Sequence, residues 1–303
     1  MRVAVTGASG FIGTALVAHL REHGHEVLRL VRGEPRTPAP DEVRWKPDAG
    51  YVDLERLEGV DGVVHLAGAG VGDRPWTPAR RRLILQSRVA GTRTIASALA
   101  QLARPPGVLV SMSGTHYYGD SGAHEVDETA PRGSGFLSDV CLGWEGAADP
   151  ARAAGIRVVH TRNGLPLSRR GGLLSRLLPV YRLGLGGKLG DGRQHMSVLS
   201  LADEISALRF LLEHDQIVGP VNVAMPAPAT NAEFTETLGE VVGRPTALRV
   251  PAFPLKIADR AVGGQLTALL LQSQRVRPQV LLDAGFAYQH PKLNDVLRWA
   301  AAH

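Results

Sequence analysis

The first thirteen residues, MRVAVTGASGFIG, constrain the fold more than any other stretch of the chain. Val3–Val5 is a short apolar run typical of a buried strand, and Phe11–Arg21 follows with the apolar periodicity of a helix. Between them, Gly7, Gly10 and Gly13 have glycine-x-x-glycine-x-x-glycine spacing. The first glycine permits a tight turn, the second lets backbone N–H groups approach a pyrophosphate, and the third lets helix and strand pack closely. The stretch therefore predicts the start of a dinucleotide-binding βαβ unit.

The residue that follows the second predicted strand, Glu26–Val31, indicates which dinucleotide binds. An NAD site usually carries an acid here, which accepts hydrogen bonds from the ribose 2′-hydroxyl. This chain has Arg32, which can pair with a 2′-phosphate, so we expect NADP. Arg29 is a candidate second contact, and Glu34 keeps NAD as the alternative. The residues expected to bind the cofactor are Gly7, Ser9, Gly10, Phe11, Ile12, Gly13, Arg32, Leu66, Ala67 and Gly68.

Strands and helices alternate along the chain as far as Asn163, which predicts an α/β fold with a Rossmann-type, doubly wound parallel sheet. Thr77 is a predicted helix cap. The further predicted strands are Gly62–Leu66, Val108–Ser111 and Ile156–Thr161, and the predicted helices are Trp76–Leu102 and Phe136–Ala154.

Beyond Asn163 the pattern changes, which predicts a smaller C-terminal substrate lobe. We assign residues 1–165 to the dinucleotide-binding domain, with 197–225 returning to it, and residues 166–196 and 226–303 to the lobe. The elements predicted in this half are a helix over Leu201–His214, a strand over Val221–Val223, and a helix capped by Asn231 that runs to Val242.

Composition excludes several classes of protein. The 34 basic and 29 acidic residues give a net charge of +5 and are interspersed, so we expect no nucleic-acid partner. Cys141 is the only cysteine, and the histidines lack metal-ligand spacing, so we expect no metal. No apolar run approaches the ~18 residues that span a bilayer. The predicted first strand leaves no room for a signal peptide, so we expect a cytoplasmic protein without a membrane partner.

Several segments resemble the extended short-chain dehydrogenase/reductase superfamily, in particular an atypical subgroup called epimerase family or nucleoside-diphosphate-sugar epimerase-like. The resemblance runs nearly end to end and implies a Rossmann domain with a smaller substrate lobe. Related enzymes are often dimers through long helices, which makes Trp76–Leu102 a candidate homodimer interface. The matching segments include TGASGFIG (Thr6–Gly13), HLAG (His65–Gly68), SMSGTHYYGD (Ser111–Asp120), FLSDVCLGWE (Phe136–Glu145), LGLGGKLGDGRQHMS (Leu183–Ser197) and GPVNV (Gly219–Val223).

Typical members of the superfamily use a serine or threonine, a tyrosine, and a lysine four residues after the tyrosine, which together move a proton while hydride is transferred. Ser113 matches the serine, but Cys141 and Glu145 stand on the helix where the tyrosine and lysine are expected. An ionised Glu145 one turn away raises the pKa of Cys141, so Cys141 is a candidate proton donor as a neutral thiol. The alternative is a small buried structural residue. Tyr117 is the next candidate, and we expect one of Tyr117 and Tyr118 to face the cleft.

Arg88 and Ser200–Glu204 are two further departures, and Arg162 and Asn163 are two further candidate residues at the cleft. Arg88 falls where many extended members carry an active-site asparagine, and is either a buried structural cation or an anion contact. At the position of Ser200–Glu204, the epimerase-family subgroup more often has a histidine and paired aspartates. Arg162 and Asn163 end a predicted strand at the cleft, where they either contact cofactor or substrate or pack the strand end.

Together these observations predict an NADP-dependent oxidoreductase or epimerase-like enzyme that acts on a small polar or sugar-like substrate. Ser113 would orient the reacting oxygen, and Cys141 or Tyr117 would supply the proton. Because the tyrosine–lysine pair is missing, two alternatives stay open. One is a catalytically inactive dinucleotide-binding regulator or redox sensor, and the other is a redox-neutral isomerase or lyase on the same fold. The fold alone does not choose among them.

Overall fold

The computed structural model describes residues 1–33, 39–251, 257, 259, 261–265 and 267–303. Its strands are β1 (Arg2–Thr6), β2 (Glu26–Val31), β3 (Glu42–Lys46), β4 (Tyr51–Val52), β5 (Gly62–His65), β6 (Val108–Gly114), β7 (Glu125–Val126), β8 (Arg157–Asn163), β9 (Leu165–Leu167), β10 (Gly187–Leu189), β11 (His195–Met196), β12 (Val198–Ser200), β13 (Gly219–Val223), β14 (Ala229–Thr230), β15 (Leu248–Val250) and β16 (Arg275–Val276). Its α-helices are α1 (Phe11–Glu22), α2 (Leu54–Leu57), α3 (Pro78–Leu99), α4 (Phe136–Gly146), α5 (Asp149–Ala153), α6 (Gly172–Arg182), α7 (Leu201–Glu213), α8 (Asn231–Val242), α9 (Gln279–Asp283) and α10 (Leu293–Ala302).

Eight strands form one sheet in the order β13-β8-β6-β5-β1-β2-β3-β4. The neighbours pair in parallel except β3 and β4, which are antiparallel. The order reverses between β1 and β5, so the chain winds outward in both directions from the centre. This confirms the predicted doubly wound α/β fold.

Each central strand is buried on both faces, and alternate residues contact different helices. Val3 and Val5 of β1 belong to a core that includes Leu16 of α1 and Leu208 of α7. Ala4 points to the opposite face, which is covered by α3 and α5. Helices on both faces leave the strand ends as the place where a ligand can reach the sheet.

Most predicted helix ends are close to those observed, with two differences. Thr77 caps α3 as predicted, because its hydroxyl accepts the Arg80 N–H at 3.1 Å. The segment Phe136–Ala154, predicted to be mainly helical, is divided into two helices, since Pro150 has no N–H with which to continue the first one. The prediction that Asn231 caps α8 is wrong. Thr230 caps it, in a reciprocal capping box with Glu233.

The C-terminal part is tied to the sheet by hydrogen bonds from a buried acid. Glu128 accepts the N–H of Asn222 in β13 at 2.9 Å, and the N–H groups of Gln279 and Val280 in α9 at 3.2 and 3.3 Å. It therefore satisfies the first turn of α9 and fixes that helix to the last strand of the sheet. No helix in the described ranges is long and apolar enough to cross a membrane.

Thr6 fixes the carboxyl ends of β1 and β5 together. Its hydroxyl oxygen accepts the N–H groups of Leu66 at 3.1 Å and Ala67 at 3.2 Å, and bonds to His65 Nδ1 at 2.8 Å. Because the oxygen already accepts two bonds, its own proton goes to Nδ1, which places the His65 proton on Nε2. Burial lowers the pKa of His65 to about 3, so this ring is neutral.

Replacing Thr6 with valine keeps the shape of the side chain and removes the hydroxyl. We expect Thr6→Val to lower the free energy of unfolding by about 1–3 kcal/mol, because the part-buried N–H groups of Leu66 and Ala67 and the buried Nδ1 of His65 lose their partner. The measurement is urea unfolding, with Thr14→Val as the control. Thr14 is exposed, and we expect its substitution to change stability by less than about 0.5 kcal/mol. Equal losses in the two variants would contradict the assignment.

Candidate active site

A cleft with a cavity volume of about 1030 Å³ opens at the carboxyl ends of β1, β2 and β5. The turn after β1 forms its floor. Gly7 has φ of 67°, and a side chain there would meet the backbone of Leu66 and Ala67 at 3.0 Å. A side chain on Gly13 would collide with the Gly7 carbonyl. Both glycines are therefore needed for the close approach of turn, helix and neighbouring strand.

The residues expected to bind the cofactor divide into two groups. Phe11, Ile12 and Gly13 lie in the first turn of α1 and do not line the cleft, and the Phe11 ring packs against Gly171 and Gly172 at the start of α6. Those that line the cleft are Gly7, Ser9, Gly10, Arg32, Leu66, Ala67 and Gly68.

The two arginines of the β2 region have different environments. The Arg29 guanidinium is held by Asp41 at 2.9 Å and Glu42 at 3.0 Å, so it is engaged in structural ion pairs. Arg32 is exposed and lines the cleft just beyond the end of β2. Arg32 is thus the better placed of the two to meet a phosphate. Glu34, the acid that kept NAD as an alternative, lies outside the described residues.

Three polar side chains lie side by side near the ends of β6, β8 and β13. In the sheet register Ser113 pairs with Arg162, and Arg162 pairs with Asn222. Glu145 reaches this row from α4. Its carboxylate accepts the Ser113 hydroxyl at 2.8 Å and binds Arg162 through both oxygens, at 2.9 and 3.0 Å. The result is a buried bidentate ion pair in contact with the predicted catalytic serine.

The two adjacent tyrosines have different roles. Tyr118 is buried, and its hydroxyl accepts a bond from Arg162 at 3.0 Å and donates one to Asn222 at 2.7 Å. Burial raises the pKa of Tyr118 to about 12. Tyr117 is half-buried, and its ring lies under Arg162, whose Cζ is 3.4 Å from the ring centroid. Tyr118 is thus the packed member of the pair, and Tyr117 remains the candidate for contact with a substrate.

Arg162 carries a stable positive charge in this environment. Burial opposes the charge, but the hydrogen bonds with Glu145 and Tyr118 outweigh it and raise the pKa of Arg162. Its planar guanidinium engages the carboxylate, the phenol and the Tyr117 ring at once.

Cys141 lies close by as a neutral thiol. It is buried, and its Sγ donates to the Gly114 carbonyl at 3.6 Å. Burial raises the pKa of Cys141 to about 11, and the negative charge of Glu145 raises it further. The sequence predicts that the charge of Glu145 raises the pKa of Cys141, and it does so, but burial is the larger cause of the rise.

Arg88 is half-buried, and the contacts that its guanidinium makes are with the protein itself, as the structural alternative of its two predicted roles expects. It donates to the carbonyls of Ala69 at 2.8 Å and Ile84 at 3.2 Å, and its Cζ lies 4.7 Å from the Trp144 ring centroid. Burial lowers the pKa of Arg88 to about 10. Its contacts hold the segment after β5 close to α3, beside the cleft.

Asn163 and the Ser200–Glu204 segment lie on the opposite face of the sheet. Ser200 caps α7, and Asp203 accepts the Gln289 N–H at 2.7 Å, so both are structural. Asn163 donates to the fully buried Glu204, and burial raises the pKa of Glu204 to about 8. This carboxyl is therefore predominantly protonated at pH 7.

Sequence reasoning missed the pairing of Glu145 with Arg162 and the part played by Asn222. Two features of the sequence could have indicated the pairing. Glu145 is an acid at the position of the expected lysine, and Arg162 is an arginine at the end of a later predicted strand. The two positions are 17 residues apart, and only the fold brings them together.

Comparisons with known proteins agree with this architecture. The family model "NAD dependent epimerase/dehydratase family" matches residues 3–224, and a domain of unknown function, DUF1731, matches residues 250–300. Epimerase family protein ML0860 of Mycobacterium leprae is 40% identical, over 98% of this chain and 95% of that protein. Human epimerase family protein SDR39U1 (isoform 2), crystallised with NADPH, superposes with a TM-score of 0.85 at 32% identity over 100% of both chains. A nucleoside-diphosphate sugar epimerase from Corynebacterium glutamicum gives 0.80 at 31%, over 100% of this chain and 59% of that one.

The buried acid Glu204 predicts an unusual pH dependence of stability. Its folded pKa of about 8 exceeds its ordinary value of 4.5, so between these values the folded protein binds more protons than the unfolded chain. Stability contributed by Glu204 therefore falls as pH rises through that window. The histidines His65, His116 and His160, whose pKa values burial lowers, act in the opposite direction as pH rises through the range around 6.5, where they titrate in the unfolded chain.

We therefore expect the stability advantage of the wild type over Glu204→Gln to fall by about 2 kcal/mol between pH 6.5 and 8, measured by urea unfolding. Glu204→Gln keeps an amide acceptor for Asn163 and abolishes the titration of Glu204, while the histidine contributions are the same in both proteins and cancel in the difference. Glu240→Gln, at an exposed position, serves as the control, and its stability difference from the wild type is expected to be constant over this range. A difference between wild type and Glu204→Gln that does not change with pH would refute a protonated Glu204.

Proposed function

Since the chain belongs to the NAD dependent epimerase/dehydratase family, we propose that it transfers hydride between NADP(H) and a small polar or sugar-like substrate. The resemblance to extended short-chain dehydrogenases/reductases is confirmed, and the chain is an NAD(P)-dependent enzyme of that kind. The choice of NADP, the substrate class and the roles of the side chains belong to the proposal.

The residues of the cleft fit a dinucleotide. The N-terminus of α1 has Gly10 as its cap and no side chain hydrogen-bonded to its first turn, which leaves N–H groups available for a pyrophosphate. Arg32 supplies a cation where a 2′-phosphate would lie. Binding of NADPH by the human relative supports the same choice. When bound, the nicotinamide supplies hydride acceptance or donation.

The hydrogen bond from Ser113 to Glu145 is the observation that supports the proposed route for the substrate's proton. Because the Ser113 O–H donates to the carboxylate at 2.8 Å, its oxygen lone pairs are free to accept a substrate hydroxyl. During substrate oxidation, the hydroxyl proton passes to Ser113 Oγ while the Ser113 proton passes to Glu145. In the reverse direction Glu145 returns it. Arg162 holds the carboxylate in place through both of its oxygens.

This assignment gives Cys141 a structural role. A thiol whose pKa is about 11 donates a proton poorly near neutrality, and a buried, protonated thiol is also a poor redox sensor. Tyr117, half-buried under Arg162, is assigned to binding the substrate beside Ser113. The C. glutamicum relative is named a nucleoside-diphosphate sugar epimerase, which supports testing sugar nucleotides first.

The cofactor is tested by calorimetric titration with NADPH and NADH. We expect tighter binding of NADPH, and we expect Arg32→Ala to reduce the preference by about 10- to 100-fold, because a charge-assisted contact to the 2′-phosphate is lost. Arg193→Ala removes an arginine that is 90% exposed and serves as the control, with no expected change. An unchanged preference in Arg32→Ala would show that another residue reads the phosphate.

The proton relay is tested with a panel of alcohols, aldehydes, ketones and sugar nucleotides. We expect Ser113→Ala and Glu145→Gln to lower kcat by about 100-fold or more, while Cys141→Ala stays within a few-fold of wild type. Each variant is first shown to bind NADPH normally, so that a folding defect is recognised. If Cys141→Ala abolishes turnover and Ser113→Ala does not, the roles assigned here are wrong.

A further inference from the structure

One row of side chains on the face of the sheet covered by α3 is polar although it is completely buried. His65, Ser111 and His160 pair with one another in the register of β5, β6 and β8, and are 0, 0 and 2% exposed. We call these three residues the polar row. Two residues earlier in each strand, the same face carries only aliphatic side chains, Val63, Leu109 and Val158. The face therefore changes from apolar to polar just before the active site.

Each member of the polar row has a buried atom without a hydrogen-bond partner among the described residues. These atoms are Nε2 of His65, Oγ of Ser111 and Nδ1 of His160. One such atom costs on the order of 1–3 kcal/mol, and three in adjacent positions are unexpected in a dry core. The described part of the protein therefore leaves three hydrogen-bonding atoms of the polar row without a partner.

The other ring nitrogens define what those partners must be. His65 Nδ1 accepts from Thr6, and His160 Nε2 accepts from the Arg152 guanidinium. Burial lowers the pKa values of His65 and His160 to about 3 and 4, so both rings are neutral and their free nitrogens carry N–H. The row thus presents two N–H donors and one hydroxyl. Gly91 of α3 faces the free nitrogen of His65 and leaves room there, because it has no side chain.

The polar row lies directly behind the reactive groups. Ser113 and Arg162 are the next residues on the same face of β6 and β8, and Glu145 contacts both. Arg152 joins this region to the surface: it bonds to His160, approaches the Glu145 carbonyl at 3.4 Å, and has a side chain that is 42% exposed. A chain of hydrogen-bonded small molecules along the polar row would therefore connect Glu145 with the solvent beside Arg152.

We propose that the polar row binds internal water molecules that connect Glu145 with the solvent beside Arg152. Water supplies both acceptors and a donor in so small a space, and buried water commonly fills such unsatisfied sites. The water sites do not depend on the proposed function, but their role in proton transfer rests on it. In that role, the proton that Glu145 takes from Ser113 passes to these waters and on to solvent. That transfer restores the Glu145 carboxylate and breaks no bond to carbon.

A high-resolution crystal structure of the wild-type protein tests the site directly. We expect ordered water oxygens within about 3.2 Å of His65 Nε2, Ser111 Oγ and His160 Nδ1. Direct bonds among the three side chains, or clear density without water, would overturn the proposal. No substrate is involved, so the result does not depend on whether hydride transfer is demonstrated.

Two substitutions at Ser111 give a second test. Ser111→Ala leaves room for the waters, whereas Ser111→Val fills their space and leaves the histidine N–H groups unpaired. We expect Ser111→Val to unfold roughly 4 °C or more below Ser111→Ala in a thermal scan. In a dry row valine would fill a void, so an equal or higher Tm for Ser111→Val would overturn the proposal.

The connection to solvent is tested by hydrogen exchange of the His65 and His160 ring N–H groups, followed by NMR on histidine-labelled protein. We expect exchange in the wild type and Ser111→Ala to be at least 10-fold faster than in Ser111→Val. Equal rates in the three proteins would show that the row does not lead to solvent. The NADPH and Ser113 results would stand in that case, so failure here is distinct from failure of the proposed function.

Discussion

The ion pair between Arg162 of β8 and Glu145 of α4 is the interaction on which the candidate site depends. It is almost fully buried, with side-chain exposures of 5 and 13%. Burying two charges is costly unless both are hydrogen-bonded completely. Here Ser113 and Tyr118 occupy the positions that the two charged groups leave open. The pair therefore joins strand β8, helix α4, and strand β6 with the segment that follows it in one arrangement.

The same network reaches the C-terminal part of the chain. Tyr118 donates to Asn222, whose amide donates to the Arg277 carbonyl at 2.9 Å, so the position of Ser113 is linked to the segment before α9. Where the superfamily pattern has a lysine on this helix, α4 carries Glu145. The positive charge is supplied by Arg162 of β8 instead. This exchange keeps a positive charge near the cleft while placing a carboxylate against the serine. As a result, the Ser113 hydroxyl donates its hydrogen bond to Glu145 and is not available to donate one to the substrate.

Much of the fold could be predicted from the sequence because its signals are local. The glycine spacing requires a turn that only glycine tolerates, and Thr77 precedes a proline at the start of a long helix. Asn231 was misassigned because the capping box of Thr230 with Glu233 competes for the same helix end. The site was less predictable. No local signal pairs Glu145 of α4 with Arg162 of β8. The register of β6 and β8 places Ser113 beside Arg162, and the packing of α4 brings Glu145 to both. The same register creates the polar row, since nothing within a single strand shows that three polar residues are neighbours.

A double-mutant cycle on the free energy of unfolding tests the central interaction most directly. Glu145→Gln, Arg162→Gln and the double variant are compared with the wild type in urea. If the pair is the buried ion pair described, each single variant leaves an uncompensated charge and is destabilised by about 3–5 kcal/mol, and the double variant is far less destabilised than the sum of the two. Losses that add to within about 0.5 kcal/mol would contradict the pairing, and with it the placement of Glu145 as the acceptor of the Ser113 proton.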